Sequence, residues 1–89
     1  MPCANLTIVN SLGLHARAAA KFVQTAAHYG CDIVVTKDGK QINGKSIMGV
    51  MMLAAAQGAQ IEIRTSGPED QAALDALTTL IAERFGESS

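Results

Sequence analysis

The chain has 89 residues, 48% of them hydrophobic, and seven Lys and Arg against eight Asp and Glu give a formal net charge of −1. A chain this short can bury one modest core, so residues 1–89 are expected to form a single compact unit. The cations are scattered rather than gathered into the basic stripe that nucleic acid requires, and no apolar run approaches the ~20 residues of a membrane span. Met1-Pro2-Cys3-Ala4-Asn5 lacks the charged and apolar regions of a signal peptide, and the chain is read as cytoplasmic. Cys3 and Cys31 stand far apart without CxxC or His/Cys ligand spacing, which favours two reduced thiols over a disulfide or a metal site. Neither a metal nor a cofactor is expected.

In chain order, Ala4 to Asn10 alternates as a half-buried strand, with Leu6 and Ile8 on one face. From Ala16 to about Tyr29, Ala19, Phe22, Val23 and Ala26 recur at helical spacing, and Gly30 is the expected stop. Asp32 to Thr36 is short and β-branched, and Asp38-Gly39 is a two-residue hairpin signal that leads into Gln41 and Ile42. Ser46 can cap a short apolar helix holding Ile47, Val50, Met51 and Leu53, expected to end near Gly58. Ile61, Ile63 and Thr65 alternate with Glu62 and Arg64 in a fourth strand terminated by Gly67-Pro68.

Pro68, Glu69 and Asp70 then open a last helix whose buried stripe is Ala73, Leu74, Leu77, Leu80 and Ile81, with Gly86 closing it and Glu87-Ser88-Ser89 loose. Three amphipathic helices and four half-buried strands make an α+β chain in two layers. A four-stranded antiparallel sheet of order 1-4-2-3 is expected, with helices on one face and the other face open.

The chemistry concentrates at Gly13-Leu14-His15-Ala16-Arg17, where the first strand hands over to the first helix. No Ser, Thr, Asp or Asn side chain stands there to satisfy the first-turn amides. Free N–H groups at the positive end of a helix suit a phosphate, and Arg17 adds a forked cation. The amides of Ala16 and Arg17 are the expected donors, His15 the candidate nucleophile, and Leu12 and Leu14 apolar anchors of the turn. His28, in the helix's expected last turn, reads as a helix-end cation. A second phosphate motif, Gly39-Lys40-Gln41-Ile42-Asn43-Gly44-Lys45-Ser46, fits G-x-x-x-x-G-K-[ST], but Asp38-Gly39 cannot both turn a hairpin and begin a P-loop.

Gly13-Leu14-His15-Ala16-Arg17, then Ala19, Phe22 and Val23, and later Lys45-Ser46-Ile47-Met48-Gly49-Val50-Met51-Met52-Leu53, resemble the phosphocarrier HPr family of the phosphoenolpyruvate-dependent phosphotransferase system. The resemblance spans nearly the whole chain and implies the open-faced β-sandwich. It implies that His15 takes a phosphoryl group from phosphorylated enzyme I through Nδ1 and passes it to a IIA-type acceptor, with Arg17 steadying the charge. It also implies that Ser46 can be phosphorylated by an HPr kinase/phosphorylase, so a regulatory binding module is the alternative. The relay protein would be a monomeric carrier, not an enzyme. The family commonly has proline where this chain has Ala18, which leaves the turn a less rigid start. Ile47, Met48, Met51 and Met52 are the candidate partner-binding residues; core filling explains Ile47 and Met51 at least as well, while Met48 or Met52 would give an adaptable face beside His15.

Overall fold

In a computed structural model of all 89 residues, the elements run β1 (Cys3–Thr7), α1 (Ala16–Ala26), β2 (Asp32–Lys37), β3 (Lys40–Asn43), α2 (Ile47–Met52), β4 (Gln60–Ser66) and α3 (Asp70–Ala82). A single 3-10 turn at Arg84–Gly86 comes after α3. The sheet order is β1-β4-β2-β3 with every neighbouring pair antiparallel, as the alternation and the α1 crossover led one to expect. Strand alternation sends Ile33, Val35, Ile61, Ile63 and Thr65 inward against Phe22 of α1, Val50 of α2 and Leu74, Leu77 and Ile81 of α3. The opposite face carries polar ladders, in which Asn5 faces Glu62, Glu62 faces Thr36 and Thr36 faces Gln41. Asp38 and Gly39, both at positive φ, form the β2–β3 turn, so the first glycine of the apparent P-loop is taken up by a hairpin. Its lysine is occupied as well: Lys45 Nζ donates to the carbonyl of Tyr29 at 2.6 Å, beyond the end of α1.

Several boundaries differ from the sequence expectation. β1 stops at Thr7 because Ile8 leaves the strand pairing to bond Ala59 and Gly58. α1 ends at Ala26 rather than near Tyr29, since its last turn tightens into i→i−3 bonds from His28 to Thr25 and from Tyr29 to Ala26. Gly30 does not take the left-handed conformation of a helix stop, and His28 is exposed beyond the helix. α2 ends at Met52, well short of Gly58, because Ala54 turns left-handed and sends buried Ala55 back toward residues 13 and 14. In α3 the cap is Glu69 at φ 61°, so Pro68 lies before the helix rather than in its first turn.

The largest departure is at the C-terminus. Beyond Ala82 the chain turns so that Phe85 is buried to 1% exposure, and the Phe85 carbonyl accepts a hydrogen bond from Lys21 Nζ at 2.6 Å. The tail is therefore not loose. Ser11 N donates to the Ser89 carbonyl at 3.1 Å, and the two serine hydroxyls lie 3.1 Å apart.

Candidate functional site: the His15 turn

Gly13, at φ 67°, makes the turn before α1. Its space is as restrictive as its angle, since a Cβ there would lie 2.5 Å from the Ala55 carbonyl oxygen and 2.8 Å from Ala56 Cα. The turn is held by Leu14 N donating to Ala55 O at 2.8 Å, by Gly13 N donating to Asn10 O at 3.1 Å, and by the buried Leu14 side chain. Leu12, expected as a second anchor, is instead 70% exposed, because the bend at Gly13 turns it outward.

His15 is the N-cap residue, in extended backbone, and its side chain makes no capping bond. The amides of Ala16, Arg17 and Ala18 find no acceptor in the protein, and no acidic residue occupies the first turn. Ala18 is itself fully buried and presents an N–H that a proline would lack. Arg17 is exposed, and its guanidinium is engaged by no protein group. Three unpaired donors and a free cation thus share one helix end, the arrangement that favours an anion.

The imidazole is not fully open. Its side chain is 28% exposed, and Nε2 is paired with the Glu87 carboxylate. Asn10 Nδ2, wholly buried, donates to Glu87 Oε1 at 3.0 Å and to the Gly13 carbonyl at 2.8 Å. A depression of about 490 Å³ lies here, lined by His15, Ala16, Arg17, Glu87, Ser88 and Ser89. Neither Asn10 nor Glu87 stands out in the sequence; the available signal was Phe85, an aromatic residue beyond the last helical stripe that anchors the C-terminal residues after it.

The Glu87 carboxyl is held below its ordinary value of 4.5, first by the Asn10 hydrogen bond, then by that from His15. The folded chain therefore holds this proton less tightly than the unfolded chain. Glu87 contributes stability above 4.5, and the contribution fades as pH falls through the lower folded value. Urea midpoints measured against pH are expected to drop more steeply in acid for wild type than for Glu87→Gln, with the two curves meeting at the lowest pH.

Ser46 caps α2, its Oγ accepting from Gly49 N at 3.1 Å. In that helix only Val50 is buried. Ile47 and Met51, for which core filling and partner binding were both open, are 44% and 40% exposed, because six residues give fewer than two turns and Val50 alone faces inward. With Met48, Met52 and Leu12 they are the exposed large apolar side chains, apart from Met1 and Val9.

Residues 3–83 match the family described as the PTS HPr component phosphorylation site. The phosphocarrier protein HPr of Cupriavidus necator is 53% identical over 81 residues, 91% of each chain. That of Pseudomonas putida is 51% identical over 88 residues, 98% of each. Among solved structures, HPr-C-His from Thermoanaerobacter tengcongensis superposes with a TM-score of 0.97 at 44% identity, covering 100% of both chains. The sheet order, the three helices and a family match over most of the length agree: this chain belongs to the HPr family of phosphocarrier proteins of the phosphotransferase system, which carry phosphate and are not enzymes.

Proposed function

We propose that His15 accepts a phosphoryl group from phosphorylated enzyme I and passes it to a IIA-type acceptor. The observation that carries this reading is the pairing of Nε2 with Glu87 beside three unpartnered amides. An ionised carboxylate only accepts, so in the neutral imidazole Nε2 bears the proton and Nδ1 keeps its lone pair. Nδ1 attacks phosphorus; the bond from phosphorus to the donor breaks, and its electron pair leaves with the donor. No proton has to leave Nδ1, and the positive charge that the ring acquires falls next to Glu87. The new dianion is held by the amides of Ala16 and Arg17 and by the Arg17 guanidinium. This hold lies at the protein surface, which suits a group that must be passed on. Transfer to the IIA-type acceptor is the same step in reverse.

Incubation with enzyme I and labelled phosphoenolpyruvate tests the reading. Acid-labile label is expected on His15, located by mass spectrometry; a chain that stays cold, or is labelled elsewhere, overturns it. In this reading the carrier works as a cytoplasmic monomer.

The exposed Leu12, Ile47, Met48, Met51 and Met52 supply the docking face, where flexible thioethers fit successive partners. Peroxide oxidation of Met48 and Met52 is expected to slow when enzyme I is present, while Met1, 83% exposed, oxidises at an unchanged rate.

A second reading attaches to Ser46. A phosphate on its Oγ would sit at the start of α2 and place negative charge on that docking face. An HPr kinase/phosphorylase would be the modifying partner, and failure of such a kinase to label wild-type protein removes this reading.

A further inference from the structure

Asn10 is the one buried polar side chain that touches both halves of the His15 turn. Its two amide protons are both used, one on the Gly13 carbonyl and one on Glu87 Oε1. Those two acceptors fix its orientation, because a flipped amide would set its oxygen against a carbonyl and a carboxylate. Asn10 Oδ1 is left buried with no partner, the only such side-chain atom in the protein. A buried acceptor without a partner is unfavourable, and such a defect persists where the opposite end of the group does something the fold or the site requires.

We propose that Asn10 is a positioning residue for phosphoryl transfer, holding Glu87 against His15 Nε2 and so keeping Nδ1 as the unprotonated nitrogen of the ring. This rests on the reading of His15 as phosphoryl acceptor. The chain of contacts is Asn10 Nδ2 to Glu87 Oε1, then Glu87 Oε2 to His15 Nε2, so one carboxylate bridges amide and imidazole through its two oxygens. The same Asn10 nitrogen ties down the carbonyl of Gly13, two residues before the ring. The C-terminal segment and the active turn are thereby registered to each other through a single carboxamide. The lowered proton affinity of Glu87, with Asn10 as its largest cause, agrees with a carboxylate kept ionised for this purpose.

The alternative is that Asn10 merely holds the turn through Gly13. The two are separated by the ring itself, using long-range ¹H–¹⁵N correlations of the His15 nitrogens in the unphosphorylated full-length chain at alkaline pH. In wild type the proton is expected on Nε2. In Asn10→Ala the ratio of the Nε2–H to the Nδ1–H form is expected to fall about tenfold, the scale of one lost charge-assisted hydrogen bond. Glu87→Ala is expected to do the same, and the double variant to fall no further than Glu87→Ala alone. Labelling by enzyme I and phosphoenolpyruvate is expected to slow in Asn10→Ala while the label stays on His15.

A wild-type ratio in Asn10→Ala, or a double variant shifted well beyond Glu87→Ala, overturns the proposal. Should Asn10→Ala not fold, Asn10→Leu keeps the side-chain shape, loses the N–H donors without adding a charge, and carries the same expectations. Because the ring measurement needs no phosphoryl donor, it is decided separately from the relay: an unlabelled wild type would remove the acceptor reading and leave the ratio standing.

Discussion

A His15→Ala chain is expected to fold with a thermal midpoint close to wild type and to carry no acid-labile phosphate after incubation with enzyme I and phosphoenolpyruvate. Folding survives because His15 is partly exposed and contributes no cap, while Asn10 still holds Glu87 and Ala55 still holds Leu14. Transfer fails because no other nitrogen can take its place. His28 is exposed, but it lies 13 positions further along α1 and its last turn, roughly 20 Å at 1.5 Å per residue. Mass spectrometry under conditions that preserve phosphoramidate reads the result, and label retained in the variant would exclude His15 as acceptor.

Gly13→Ala is expected to have the largest effect on stability, roughly 2–5 kcal/mol. About 1–2 kcal/mol comes from placing alanine at φ 67°. A further 1–3 kcal/mol, approximately, comes from driving a Cβ against the Ala55 oxygen and Ala56 Cα, which are backbone and cannot swing aside. Such a loss is a large share of the roughly 5–15 kcal/mol typical of a small domain. Gly39→Ala is the matched control: φ is 80°, but nothing lies within 4 Å of the added carbon, so only the conformational part should be lost. Urea unfolding of the two variants separates strain from collision, and equal losses would remove the close-approach argument. Since the same shift would pull Ala55 from Leu14 N, Gly13→Ala should also slow phosphoryl acceptance.

Features set by neighbours in sequence were legible before the fold was known. The Asp38-Gly39 turn, the Ser46 cap and the alternation of Ile61, Ile63 and Thr65 each depend on a few adjacent residues, and with α1 they dictate the order β1-β4-β2-β3. The free first turn of α1 was equally local, being the plain lack of a capping side chain. Contacts across the chain were not legible. The early end of α2 depends on Ala55 reaching Leu14, some forty residues away in sequence, and whether Ile47 and Met51 face the core or solvent depends on how that short helix packs. The Glu87 contact spans 72 residues and depends on Phe85 being buried, which no periodicity in a three-residue 3-10 turn could announce.

That anchored end has a practical side. Ser89 lies against Ser11 on the rim of the depression beside His15, so an affinity tag fused after it would emerge next to the ring proposed above as the phosphoryl acceptor. Met1 stands on the open sheet face near Arg64 and Asn43, with helices and ring on the other side, and a handle attached there stays clear of His15.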